Sequence, residues 1–90
     1  MYCLYILKSV RSGRFYVGST LDLDKRLKQH NGELPGLGRS TVADRPWKVA
    51  FRAEYLSRSQ AMAAERYVKK MKSNRWIAKL VEGIYRLPDF

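Results

Sequence analysis

The chain has 90 residues, 46% of them hydrophobic and 12% aromatic, enough for one domain and too few for two. A chain this short buries only roughly 60–65% of its unfolded surface, so its core has to be efficient. Eighteen Lys and Arg against eight Asp and Glu give a net charge of +10, which points to a polyanionic partner, nucleic acid before a membrane surface.

Other classes fall away quickly. No apolar run approaches the eighteen or so residues of a membrane span. The first residues carry neither a basic leader nor a small-residue cleavage site, so a cytoplasmic location is expected. Cys3 is the sole cysteine; it has no disulfide partner and is read as a core residue.

Residues 2–8 and 14–19 are β-former runs joined by turn chemistry at 9–13, which predicts a hairpin. With Lys8 facing Gly13 across a four-residue loop, Tyr5 falls opposite Tyr16 and Cys3 opposite Gly18. The two tyrosines then stand abreast on one face, with open space at Gly18. A one-residue slip would break this arrangement.

Asp22 is a suitable N-cap for a helix through about Gln29. Leu23 and Leu27 form its apolar pair, and Arg26 and His30 a second i, i+4 pair on a neighbouring face. Residues 31–44 hold three glycines and a proline without periodicity and read as a long loop that shapes substrate choice. A third strand follows at 47–55, with Trp47, Val49 and Phe51 assigned to one face and Lys48 and Arg52 to the other.

Ser57 and Gln60 make a capping box that opens a second helix. Its apolar stripe is Ala61, Ala64, Val68 and Met71, and Glu65 sits on that stripe. A third helix restarts at Ser73 or Asn74, faces the core with Trp76, Ile77, Leu80 and Val81, and stops at Gly83. The expected fold is α+β: a three-stranded antiparallel sheet flanked by helices in the order β-β-α-β-α-α. Residues 1–82 form the domain and 83–90 a C-terminal tail.

Five residues stand out chemically, and each also has a plain structural explanation. A carboxylate on a buried stripe is costly unless paired or bound to a metal. Glu65 is therefore either ion-paired to an arginine or a metal ligand, since Mg²⁺ is often held by one carboxylate, waters and a substrate phosphate. Tyr5 and Tyr16 either pack within the sheet or supply a base, provided a nearby cation lowers the phenol pKa. Arg26 is a solvated side chain or a two-pronged phosphate clamp. His30 is a helix-end residue or a proton or phosphate contact. One shared site accounts for all of them more economically than five separate explanations.

Together these residues resemble the GIY-YIG nuclease superfamily, and within it the small stand-alone bacterial members. Cys3-Leu4-Tyr5 stands where the family has Gly-Ile-Tyr, and Tyr16-Val17-Gly18 where it has Tyr-Ile-Gly. Arg26, His30 and Glu65 match the arginine and histidine of the following helix and the glutamate of the later one. The resemblance runs over nearly the whole chain. It implies hydrolysis of a DNA phosphodiester with one Mg²⁺ (or Mn²⁺) held by Glu65. Tyr5 or Tyr16 would act as general base, Arg26 would stabilise the charge on the phosphate, and His30 would assist.

Gly18, Arg26, Lys69 and Lys70 are the expected nucleic-acid contacts. Three departures from the family pattern stand beside these: Cys3 replaces the first glycine of the motif, Ser19 replaces the lysine common in repair excision nucleases, and only Asn74 is available for the asparagine of larger members. The competing readings are a weakly catalytic or non-catalytic nucleic-acid-binding module of the same fold and an RNA-binding protein. With so much sequence-independent attraction, a protein partner for targeting is also expected.

Overall fold

The computed structural model describes residues 1–36 and 41–90. The fold has three strands, β1 (Tyr2–Ser9), β2 (Phe15–Thr20) and β3 (Trp47–Tyr55), and three helices, α1 (Leu23–His30), α2 (Arg58–Lys70) and α3 (Asn74–Val81). The sheet is antiparallel, in the order β2-β1-β3, so the α+β class and the β-β-α-β-α-α order are those expected. No helix among the described residues is long and apolar enough to cross a membrane.

The central position of β1 explains its composition. Cys3 to Leu7 are buried without alternation, because layers cover both faces of this strand. Leu4, Ile6 and Val17 pack beneath α2 and α3 against Ala64, Val68, Ile77 and Leu80. Cys3, Tyr5 and Leu7 face the other way, against Leu23 and Trp47, with Tyr16 and Leu27 around them. The Cys3 thiol donates to the Leu4 carbonyl at 3.1 Å, and burial pushes its pKa up, as a core cysteine requires.

The helix signals act locally as their chemistry dictates. Asp22 accepts from the Lys25 amide, Ser57 and Gln60 close a reciprocal capping box, and Ser73 caps α3 by accepting from the Trp76 amide. Gly83 takes φ +83° just past the end of α3, the left-handed stop that glycine supplies.

Two expectations about register are corrected. Tyr5 pairs with Gly18 and Leu7 with Tyr16, so the hairpin runs one residue further along each strand than supposed. The cause is the turn. The Ser9 hydroxyl accepts from the Arg11 and Ser12 amides at 3.1 and 2.9 Å, and the Ser9 amide donates to the Arg14 carbonyl at 2.8 Å. The loop keeps four residues but begins after Ser9. The second correction is in β3, where pairing moves from Ile6 with Phe51 to Leu7 with Val49. The extra residue at Ala50 is a β-bulge. Phe51 therefore packs on the α2 and α3 side, while Trp47 lies on the α1 side.

Residues 83–90 lie on the core. Leu87 and Phe90 pack against the aliphatic cluster, Phe90 meets the Tyr55 and Tyr67 rings, and the Gln60 amide donates to the Phe90 carbonyl at 2.7 Å.

Candidate active site

The site is built along β2, an edge strand, from both faces of the sheet. On the α1 face the side chain of Tyr5 crosses over its partner, Gly18. A Cβ on that glycine would lie 2.6 Å from the Tyr5 oxygen and 2.7 Å from Cζ. The space expected at Gly18 is thus filled by the tyrosine itself. Gly18 is buried, and its lack of a side chain admits this ring.

Tyr5, Tyr16 and His30 form one aromatic cluster. The tyrosine rings are stacked at 6.4 Å, and His30 lies 4.5 Å from Tyr16 and 6.1 Å from Tyr5. The tyrosines stay neighbours despite the corrected register because the two-residue offset leaves both on the same face. The Tyr5 hydroxyl and His30 Nε2 share a hydrogen bond of 3.2 Å, and His30 Nδ1 lies 3.3 Å from the Thr41 hydroxyl.

Their surroundings differ. Tyr5 is 2% exposed. Burial pushes its pKa well above the usual phenol value, and the neighbouring Tyr16 adds to that against the opposing pull of Arg26. A phenol so hard to ionise is poorly suited to taking a proton at neutral pH. His30 is 1% exposed. Burial, with Arg26 and Arg45 nearby, lowers its pKa from 6.5 to about 4. It is neutral at pH 7 and buried against the Tyr5 hydroxyl. Tyr16 keeps part of its surface exposed.

On the opposite face, α2 carries Glu65 to the same stretch of β2. The Ser19 hydroxyl donates to Glu65 Oε1 at 2.6 Å, and Lys69 donates to Oε2 at 2.6 Å. Glu65 is about one quarter exposed, so the carboxylate lies at the rim of its apolar stripe and is paired to a lysine rather than to an arginine. Ser19 follows Gly18, on which the Tyr5 hydroxyl rests, and both Arg26 and Glu65 act electrostatically on that phenol. Arg26, from α1, lines a groove of ≈ 340 Å³ together with Ser19. Arg26 and Glu65 therefore lie near the Tyr5 phenol at the Ser19 end of β2, and Tyr16 is joined to them through its stack on Tyr5.

The remaining candidates divide. Lys69 is held by Glu65, whereas Lys70 is exposed in the last turn of α2. Asn74 is the exposed first residue of α3 and makes no hydrogen bond to Glu65 among the described residues. The 31–44 loop includes residues 37–40, outside the described residues. Its flanks are tied down by Arg45 donating to the His30 carbonyl at 2.6 Å and by Trp47 donating to the Thr41 carbonyl at 2.9 Å. Sequence reasoning missed Ser19 and Thr41 as partners of Glu65 and His30. Ser19 carried a signal only as a departure from the pattern, and Thr41 carried none.

Comparison with known proteins fits this arrangement. Residues 1–78 match the family described as the GIY-YIG catalytic domain. The chain belongs to the GIY-YIG family. It is 50% identical over 52 residues to the structure-specific endonuclease subunit slx1 of Schizosaccharomyces pombe, covering 54% of this chain and 19% of that protein. With the SLX1 subunit of Paracoccidioides brasiliensis it shares 43% identity over 68 residues, 71% of this chain and 16% of the relative. The chain thus spans less than a fifth of these curated relatives. The solution structure of the UPF0213 protein BH0048 from Bacillus halodurans superposes with a TM-score of 0.55 at 30% identity, over 91% of this chain and 84% of that one.

Proposed function

We propose that this GIY-YIG domain is a metal-dependent endonuclease that hydrolyses phosphodiester bonds in DNA. The observation that carries the reading is the meeting at β2: Glu65 reaches Ser19 from one face, while Tyr5, Tyr16 and Arg26 approach from the other. Packing alone gives no reason for a carboxylate, an arginine and two tyrosines to converge on an edge strand of a protein with a net charge of +10. The fungal relatives, endonuclease subunits by name, support the same reading. The word subunit in those names is consistent with a targeting partner for this chain. Its likeness to the Bacillus halodurans protein, at 30% identity over 91% of this chain, supports placing it with the bacterial members.

Tyr16 is the tyrosine we assign to the attacking water, because Tyr5 is buried and its oxygen is engaged with His30. Arg26 holds the scissile phosphate and stabilises the charge that grows on it. Tyr5 and His30 fix the ring of Tyr16, and Ser19 orients Glu65.

Glu65 is the residue that would hold Mg²⁺ or Mn²⁺. Its chemistry fits: a hard, partly exposed carboxylate that already attracts a cation, the Lys69 ammonium. No cluster of three metal-ligating side chains occurs among the described residues, so waters and substrate phosphate would complete the shell. When bound, the metal supplies charge neutralisation at the phosphate.

The test incubates the protein with plasmid, branched and single-stranded DNA in Mg²⁺ or Mn²⁺ beside Glu65→Ala. Cleavage by the native chain that is lost in the variant supports the nuclease. Tight, salt-sensitive binding without any cleavage identifies a binding module instead.

A further inference from the structure

The groove beside Arg26 has a composition that phosphate binding alone does not require. Its walls are formed by two arginines, Arg26 and Arg58, by Ser19 and Tyr2, and by the apolar residues Leu21 and Met62. Leu21 is 63% exposed and Met62 38%. Such chains are tolerated singly on a surface, but here they line one cationic concavity. No carboxylate lines the groove, and neither arginine belongs to an ion pair among the described residues. Arg58 is the first residue of α2, whose first turn has no acidic residue, so the positive end of the helix reinforces its charge.

A second groove, of ≈ 250 Å³, shares Thr20, Leu21 and Arg26 with the first. It is lined by Lys25, Gln29, Thr20 and Asp22 among others. Asp22 spends Oδ1 on capping α1. This groove is polar and lacks an aromatic ring. Arg26 is therefore common to a mainly polar groove and to one that pairs cations with an aromatic and aliphatic wall.

We propose that the Tyr2–Arg58 groove is a nucleotide pocket that takes an unpaired base next to the phosphate held by Arg26. Arg58 contacts the adjoining phosphate, and Tyr2, Leu21 and Met62 form the face against which the base lies. The polar groove carries the backbone on the other side of the cut. A base inside a duplex is stacked on its neighbours and cannot enter, so the pocket takes only a nucleotide whose base is unpaired. The proposal rests on the nuclease reading above for its position beside the cut, but its binding is measurable without cleavage.

The test uses short single strands carrying 2-aminopurine at successive positions, and the matching duplex, with metal removed by EDTA. The native protein should quench the probe at one position. Tyr2→Leu should abolish that quenching, and Arg58→Ala, at an exposed residue, should weaken single-strand binding about ten-fold. Duplex binding should fall by no more than about three-fold in Arg58→Ala. Thermal unfolding reports whether each variant stays folded. Unchanged single-strand binding in a folded Arg58→Ala, or equal losses for single strand and duplex, would overturn the pocket. The two readings separate: a native chain that binds and quenches but never cuts in Mg²⁺ sinks the nuclease and leaves the pocket. One that cuts while Arg58→Ala binds normally does the reverse.

Discussion

The two faces of the sheet solve different problems with the same strand. Beneath α2 and α3, β1 contributes Leu4 and Ile6 to an aliphatic cluster with Val17, Ala64, Val68, Ile77 and Leu80. Beneath α1, the alternate residues Cys3, Tyr5 and Leu7 meet Tyr16, Trp47 and Leu23, with the buried His30 hydrogen-bonded among them. The first face needs only volume and apolarity, so it tolerates conservative exchange. The second contains polar atoms whose partners must be in place, so small changes cost more than their size suggests. Chemistry is proposed where the second face meets the edge strand, and the first contributes Glu65 through Ser19.

The comparison is broken most strongly from the aliphatic side. Leu4 is fully buried, and Leu4→Ala should cost about 2–5 kcal/mol in urea unfolding. The protein that remains folded should keep its cleavage rate. Gly18→Ala probes the other side. Its new Cβ would meet the Tyr5 ring, and neither the backbone nor the packed ring yields easily. A loss of about 1–3 kcal/mol is expected, now accompanied by a fall in cleavage rate among folded molecules. If Gly18→Ala is harmless to both, the close contact has been misjudged.

His30 sharpens the contrast through pH. Its folded pKa, about 4, lies below the 6.5 of the unfolded chain, so between those values the unfolded state binds the proton more readily. Stability contributed by neutral His30 is complete above pH 6.5 and is lost as pH falls toward 4. The total is on the order of 3 kcal/mol. His30→Gln should flatten this part of the unfolding profile relative to the native chain. An unchanged acid limb would place His30 in a wetter setting. The smallest effect is expected at Lys69, half-exposed and paired to Glu65. Lys69→Met should change stability by at most about 0.5 kcal/mol. It should nonetheless tighten Mg²⁺ binding in calorimetric titration, because a competing cation is gone.

Much of this organisation was legible in the sequence because local rules agree with the fold. Asp22, the Ser57–Gln60 box, Ser73 and Gly83 mark helix ends by short-range chemistry. The Cys3–Leu7 apolar run marks a strand covered on both sides. The hairpin register was misjudged because Ser9 closes the turn with its own hydroxyl, a choice that β propensity does not reveal. Phe51 was placed on the wrong face because a bulge carries no sequence signature as plain as Ala50. At the site, Glu65 was visible as an anomaly on an apolar stripe, and the tyrosine spacing as a pattern. Its link to Ser19 was not visible, since it joins residues 46 apart in sequence. The division of labour proposed for Tyr5 and Tyr16 was hidden too, because it depends on burial and on His30.

The central claim is that two faces of one sheet supply a single site. The most direct measurement is the single-turnover cleavage rate of branched DNA in Mg²⁺ for the native chain, Tyr16→Phe from one face and Glu65→Gln from the other, with unfolding curves for each. Both variants should remain folded and each should lose at least about 100-fold in rate. Either variant cutting at the native rate while folded would contradict the account.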